Sequence, residues 1–320
     1  MNYLVTGGAG FIGSNYVRGL LAGRWGTSTS KVTVLDSLTY AGNLSNLDEC
    51  SNDERLRFVR GSINDGQLLQ DLLVDVQVIV HFAAESHVDR SINGANIFAE
   101  TNVLGTCNLL ENARKIGVQQ FLHVSTDEVY GSVVNGSSIE SDSLLPNSPY
   151  SASKAASDLI ARSFHQTYGM DVRITRCSNN FGPYQNIEKV IPLFITNLLQ
   201  GKKVPLYGNG KNVRDWLHVD DHCRGIQLVL ESGRAGEIYN IGGGEELSNL
   251  ELTQLILEAS HKDSSQIEYV EDRLGHDLRY SVDCSKISNE LGYRPQESLK
   301  QDLRSIINWY QTHQPWWMPS

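Results

Sequence analysis

Between Tyr3 and Arg18 the chain reads YLVTGGAGFIGSNYVR: a short apolar run, glycines at Gly7, Gly10 and Gly13, then the start of an amphipathic helix. Glycines so placed suit a tight turn, a close backbone approach to a pyrophosphate and close helix-to-strand packing, three tasks a side chain would obstruct. The next apolar run, Val32-Thr33-Val34-Leu35, ends at Asp36, where a carboxylate can accept hydrogen bonds from an adenosine ribose. That acid would repel a 2′-phosphate, so NAD is the expected dinucleotide rather than NADP. A chain opening this way is expected to be α/β, built on a Rossmann-type doubly wound parallel sheet.

The pattern then repeats. Leu56-Arg57-Phe58-Val59 leads into Gly61-Ser62-Ile63-Asn64-Asp65 and a helix near 66 to 73, and Val78 to Phe82 leads into Ala83-Ala84. A long amphipathic helix is expected over 96 to 116, followed by a strand from Gln120 to Val124. Alternation at these lengths argues for parallel strands with helices on both faces, whose ligands lie beyond the carboxyl ends of the strands. Ala83, Ala84, Ser125, Thr126, Asp127 and Glu128 all follow strand ends and should line one cleft. Past another strand, Val172 to Thr175, the alternation loosens: Asn179 to Tyr184 is turn chemistry, a helix opens at Glu188 to Pro192, and Val204 to Gly210 reads as strand and turn. We therefore expect a nucleotide-binding domain over 1–175, with returning segments near 215–241, and a smaller mixed α/β substrate-binding lobe over 176–320.

Charge and cysteine usage exclude several partners. With 27 Lys+Arg against 37 Asp+Glu the net charge is −10, which gives no general attraction to nucleic acid or an anionic membrane. An anionic substrate must be held by a few placed cations, and Arg214 and Arg273 suit phosphate oxygens. The five cysteines are scattered and odd in number, fitting reduced thiols in a cytoplasm rather than a disulfide framework or a metal site. His218 and His222 lie near Asp220 and Asp221, but their spacing matches no metal site, so no metal is expected. The start at Met1 has no basic, apolar leader, and no run is long enough to span a bilayer.

The chemistry concentrates between Phe121 and Lys154. A strand delivers Ser125 and Thr126, then Asp127 and Glu128; Tyr150 and Lys154 follow at the spacing that places both on one helix face. A neighbouring ammonium and a positive nicotinamide ring would favour the Tyr150 phenolate and lower its pKa. Adjacent carboxylates after a strand are commonly solvated loop residues. Here they stand where a substrate must lie, and two acids in different surroundings can separate into a proton donor and a base. Simple hydride transfer has no use for such a pair, whereas an elimination needs both.

The segments GGAGFIGS, DSLTYAGNLSNL, HFAAESHVDRSI, TNVLGT, STDEVYG, PYSASKAASD, NNFGPYQ, NVRDWLHVDDHCRGI, YNIGGG and DRLGHDLRY span nearly the whole chain. Together they resemble the dTDP-glucose 4,6-dehydratases of the extended short-chain dehydrogenase/reductase family. The resemblance implies oxidation of a nucleotide-linked glucose at C4, loss of water across C5 and C6, and reduction at C6, with NAD regenerated. It assigns the 4-hydroxyl proton to Tyr150, a hold on the sugar oxygen to Thr126, the C5 proton to Glu128 and protonation of the C6 hydroxyl to Asp127. Lys154 completes the catalytic set.

By the same resemblance, NAD would be held by Gly7, Gly10, Phe11, Ile12 and Gly13, by Asp36, Ser37, Thr39, Ser62 and Ile63, and by Phe82, Ala83, Ala84 and Thr101. Val124, Ser125, Tyr150, Lys154, Cys177 and Asn180 complete that set. The dTDP-glucose substrate would meet Ser86, Thr126, Asn179, Glu188, Lys189, Pro205, Tyr207, Arg214, Asn249, Arg273 and His276. Two departures stand out: Ser62 where relatives commonly carry Asp, and Leu274 where the DRPGHD pattern has Pro. The family also implies a homodimer through the helices near 96 to 116 and 150 to 168, although their apolar faces could equally be internal. Rival readings are a 4-epimerase, which lacks a need for Asp127 and Glu128, and a silent NAD-binding regulator, which lacks a need for Thr126, Tyr150 and Lys154. Trp316-Trp317 reads as packing or a frayed tail rather than a ligand stack.

Overall fold

The computed structural model describes residues 1–318. Strands β1 (Asn2–Thr6), β2 (Lys31–Asp36), β3 (Leu56–Arg60), β4 (Val78–His81), β5 (Gln120–Thr126), β6 (Val172–Cys177) and β10 (Ile238–Ile241) form one seven-stranded sheet in the order β10-β6-β5-β4-β1-β2-β3. Every pairing in it is parallel. Its central strands β4, β5 and β6 are buried throughout save Gln120 at the start of β5, as expected of strands covered on both faces. The order reverses between β1 and β4, and the cleft beyond that switch point receives the loops carrying the motifs.

Helix α1 (Phe11–Leu21) lies between β1 and β2, α2 (Gly66–Leu73) between β3 and β4, and α3 (Val88–Asn93), α4 (Asn96–Phe98) and α5 (Thr106–Ile116) between β4 and β5. The helix expected over 96 to 116 is continuous but passes through a π-helical stretch, Ala99–Gly105, which the apolar periodicity does not reveal. Helix α6 (Pro149–Tyr168) begins at a reciprocal cap in which Ser148 and Ser151 each satisfy the other's backbone amide, with Pro149 in the first turn. That cap fixes where Tyr150 and Lys154 enter the cleft.

The smaller lobe holds β7 (Asn179–Phe181), α7 (Val190–Leu199), β8 (Val204–Tyr207) and β9 (Val213–His218). Helix α8 (Val219–Ser232) precedes β10, and β11 (Glu246–Ser248), α9 (Asn249–Ala259) and β12 (Ile267–Val270) follow it. Helices α10 (Ser285–Leu291), α11 (Leu299–Thr312) and α12 (Gln314–Trp317) complete the described chain. The return to the large sheet divides within 215–241: α8 packs on that sheet and β10 joins it, but β9 pairs with β7 and β11 in a separate three-stranded sheet. Helix α10 is a further return, packed on β10 and α8. The lobe has its own apolar core, which includes Phe194, Trp216, Ile256, Ile306, Tyr310 and Trp317, so the last tryptophan is a packing residue.

Candidate active site

A cleft of about 450 Å³ runs from the glycine-rich turn to the end of β5. Gly7, Gly10, Phe11, Ile12 and Gly13 line it from the β1–α1 turn, and Asp36, Ser37, Thr39, Ser62 and Ile63 from the ends of β2 and β3. Phe82, Ala83, Ala84 and Thr101 reach it from the β4 side, and Val124, Ser125, Cys177 and Asn180 from β5 and β6. Gly7 has φ +68°, and a Cβ there would stand 2.7 Å from the Ala83 nitrogen. A Cβ at Gly13 would meet the Gly7 carbonyl at 2.3 Å, so only hydrogen permits this approach of helix to turn.

Asp36 is buried with both carboxylate oxygens oriented: Oδ1 accepts the Leu38 amide at 2.8 Å and Oδ2 the Ala9 amide at 3.0 Å. Each oxygen has acceptor capacity beyond that one amide, and Asp36 lines the cleft. The cleft also contains buried polar atoms without a protein partner, Asn179 Oδ1 and Asp127 Oδ2 among them. A Gly-only turn, an aimed acid and unsatisfied polar atoms fit a dinucleotide and a polar second ligand.

At the end of β5 the Thr126 hydroxyl donates to Asp127 Oδ1 at 3.2 Å and accepts the Glu128 amide at 3.3 Å. The backbone thus turns Asp127 inward and leaves Glu128 partly open to the cleft. Burial, then the neighbouring Glu128 and Asp215, push the Asp127 carboxyl well above its ordinary pKa. Burial also raises Glu128, but Arg273, Lys189 and Arg214 pull it back. Both acids are thus raised, Asp127 the further, because neighbouring acids add to its burial whereas three cations offset part of the burial at Glu128. Tyr280 donates to Asp277 at 2.6 Å and places its oxygen 3.5 Å from Glu128.

Tyr150 and Lys154 share the buried face of α6. One expectation is corrected. Among the protein's own groups, burial and then Glu128 raise the Tyr150 phenol well above 10, and only the Thr126 hydrogen bond opposes them. The Lys154 ammonium donates to the Val124 carbonyl at 2.8 Å, and burial lowers its pKa to about 8. Cation and phenol share a helix face, but the ammonium is committed to the strand.

The cations expected on the substrate side converge. Lys189 donates to the Ser86 carbonyl at 2.9 Å, Arg214 donates to the Asp277 carbonyl at 3.0 Å and stacks over Tyr280, and Arg273 lies 3.8 Å from Asp89. Tyr207 approaches Asp89 at 3.5 Å and packs edge-on to His276, whose ring bonds Asp272 at 2.6 Å. Ser86, Thr126, Asn179 and Lys189 line the same cleft as the residues expected to hold the dinucleotide, whereas Tyr207, Arg214, Arg273 and His276 form a polar group beside it. Three expected contacts stand apart from the cleft lining: Glu188 is gripped by Nε and Nη2 of Arg90, Pro205 lies within β8, and Asn249 begins α9. His218 accepts the Asp220 amide and His222 bonds Asn180, so each histidine has a structural partner. Asp89, Asp277 and Tyr280 were unassigned by sequence, though each lies within a quoted motif. Asp215, which accepts the Gly243 and Glu245 amides, was likewise unassigned though it follows Arg214 in a quoted motif.

A family model described as GDP-mannose 4,6 dehydratase matches residues 4–306. The dTDP-glucose 4,6-dehydratase of Streptomyces antibioticus is 56% identical over 100% of this chain and 95% of its own. That of Actinoplanes sp. is 54% identical over 99% of this chain and 100% of its own. The chain belongs to the dTDP-glucose 4,6-dehydratase family. A dehydratase of this family from Streptomyces venezuelae, solved with NAD bound, superposes with TM-score 0.99 at 61% identity, covering 100% of this chain and 99% of that one.

Against the dehydratase pattern, the two departures are local. The Ser62 hydroxyl accepts the Asn64 amide at 3.1 Å, shaping the turn after β3. Leu274 is 77% exposed and is followed by Gly275 at φ +63°, so the bend that Pro would stiffen is made by glycine.

Proposed function

We propose that this protein is a dTDP-glucose 4,6-dehydratase, a hydro-lyase converting dTDP-glucose to dTDP-4-keto-6-deoxyglucose and water. The observation that carries this is the unequal environment of Asp127 and Glu128, adjacent acids at the mouth of a dinucleotide cleft, the first held more strongly in its protonated form and the second beside three cations. NAD, when bound, supplies the oxidant at C4 of the sugar and the matching reductant at C6. The glycine turn would admit its pyrophosphate and Asp36 would accept its ribose hydroxyls.

Tyr150, as phenolate, removes the proton of the 4-hydroxyl while Thr126 orients that oxygen; the cofactor's positive ring opposes the burial that otherwise holds the phenol neutral. The Lys154 ammonium pins α6 to β5, so Tyr150 meets the sugar at a fixed height. A 4-ketone acidifies the C5 hydrogen, and Glu128 takes it. Asp127 gives its proton to the C6 hydroxyl, which leaves as water; as C6 is reduced, the proton on Glu128 returns to C5, and the proton taken by Tyr150 makes good the one lost from Asp127. Arg214, Arg273 and Lys189 would hold the diphosphate end, and they offset part of the burial that raises Glu128.

Incubation of purified protein with NAD and dTDP-glucose should give a ketosugar with strong absorbance in alkali. Formation of dTDP-galactose would instead support a 4-epimerase and defeat the dehydratase reading. We further propose a homodimer formed through α5 and α6 and the helical stretch before α5. Leu104 is 63% exposed and Leu159 57%, with Ile97, Ile116 and Tyr168 on the same helical segments. Light scattering should return twice the chain mass, and a monomer would refute it. The five thiols are unpaired, as a reducing cytoplasm would leave them, and no helix among the described residues is long and apolar enough to cross a membrane.

A further inference from the structure

The C-terminal tryptophans are adjacent in sequence but serve different halves of the molecule. Trp317 is buried in the smaller lobe, where its indole donates to the Tyr310 carbonyl at 2.8 Å. Trp316 turns the other way and donates to Asn46 Oδ1, also at 2.8 Å. Asn46 is 2% exposed and lies in the short 3₁₀ helix Leu44–Cys50 that follows the Asp36 loop.

The other end of that amide is committed. Asn46 Nδ2 donates to the Ala9 carbonyl at 2.9 Å, and the Asn43 amide donates to the same oxygen at 3.0 Å. The Asn46 carbonyl accepts Arg18 from α1 at 2.6 Å. Ala9 sits between Gly8 and Gly10, and its amide donates to Asp36. One asparagine thus joins the terminal helix, α1 and the glycine-rich turn. Tyr184, Trp309 and Tyr310 pack around the Trp316 ring, and Arg18 stacks on Tyr184. The smaller lobe therefore reaches the turn through a rigid aromatic group.

We propose that Asn46 and Trp316 are positioning residues for the cofactor turn, and that α12 sets how tightly NAD is retained. This rests on the reading of the cleft as an NAD site. The Gly7–Gly13 turn must keep its amides facing a pyrophosphate. Its Ala9 carbonyl is held by two donors, and the side-chain donor keeps its orientation only while its own oxygen is occupied by Trp316. Loss of that indole N–H leaves a buried amide oxygen unsatisfied, which favours rotation of the Asn46 side chain away from Ala9.

The experiment is release of bound labelled NAD into excess unlabelled NAD, measured on the full chain beside melting temperature. Trp316→Phe keeps an aromatic ring in the group and removes the donor. It should release NAD about tenfold faster than wild type, the scale of one buried hydrogen bond. Asn46→Ala should do at least as much, and the double variant should add nothing to it, since both substitutions break one chain of contacts. Trp317→Phe is the control: it loses an indole donor one residue away, so it should lower the melting temperature while NAD release stays at the wild-type rate. Wild-type release from Trp316→Phe overturns the proposal, as does equal acceleration by Trp317→Phe, which would make the effect one of general stability. A wild-type protein that holds no NAD would overturn the cofactor reading itself.

Discussion

Glu128→Gln is expected to lower turnover of dTDP-glucose by about 10²–10⁴-fold and to leave the protein with the absorbance of reduced nicotinamide after substrate is added. Oxidation at C4 draws on Tyr150, Thr126 and the cofactor, none of which this substitution removes. Elimination draws on a base at C5, and an amide cannot accept that proton. Gln keeps the shape of the side chain and its approach to Tyr280, so a folding defect is a poor rival explanation. The three cations that pull Glu128 toward its ionised form lose their counter-charge, and substrate diphosphate should compensate part of that loss. The single-turnover trace decides: reduced cofactor should appear at near the wild-type rate and then persist. Dehydration at the wild-type rate would remove Glu128 from the mechanism, and no cofactor reduction at all would show that it acts before the elimination.

The residues that make this prediction possible were unequally visible in sequence. The glycine turn, Asp36 and the strand-to-helix alternation rest on local rules, and the parallel sheet follows them closely. Tyr150 and Lys154 were legible because their spacing puts both on one helix face. Their electrostatics were not: burial of Tyr150 and the bond from Lys154 to Val124 depend on how α6 lies on β5, which is a tertiary fact. The same holds for β9, whose apolar pattern suits either sheet and whose pairing with β7 and β11 is set by lobe packing. Asp215 lies far in sequence from the pair it influences, and the Trp316 contact joins residues 270 positions apart. Local periodicity carries no record of such contacts.

A second large effect concerns acid. His81, His123 and His222 are all buried. His81 lies between the Thr6 and Thr106 hydroxyls, His123 bonds Ser157, and His222 bonds Asn180. Burial, then the charges of neighbouring groups for the first two, lowers every one: His81 well below its ordinary value, His123 to about 4 and His222 to about 3. The folded state thus takes up protons later than the unfolded chain, whose imidazoles titrate near 6.5. Their stabilisation is complete above about pH 6.5 and declines as pH falls, until each folded imidazole titrates in turn. At pH 5 the deficit is about 2 kcal/mol each for His123 and His222, at 1.36 kcal/mol per unit, and His81 acts in the same direction. Asp127, Glu128, Asp36 and Asp215 act in the opposite sense, because their raised folded pKa values favour proton uptake by the native state. Those groups offset part of the loss, whereas Asp158, held low chiefly by His123 and Arg176 against its burial, adds to it under stronger acid. Urea unfolding at pH 7.5 and pH 5 should therefore show a loss of several kcal/mol. His222→Gln, which keeps a neutral hydrogen-bonding side chain beside Asn180, should shrink the difference by about 2 kcal/mol. Equal stability at the two pH values would mean that these imidazoles are not held neutral by the fold.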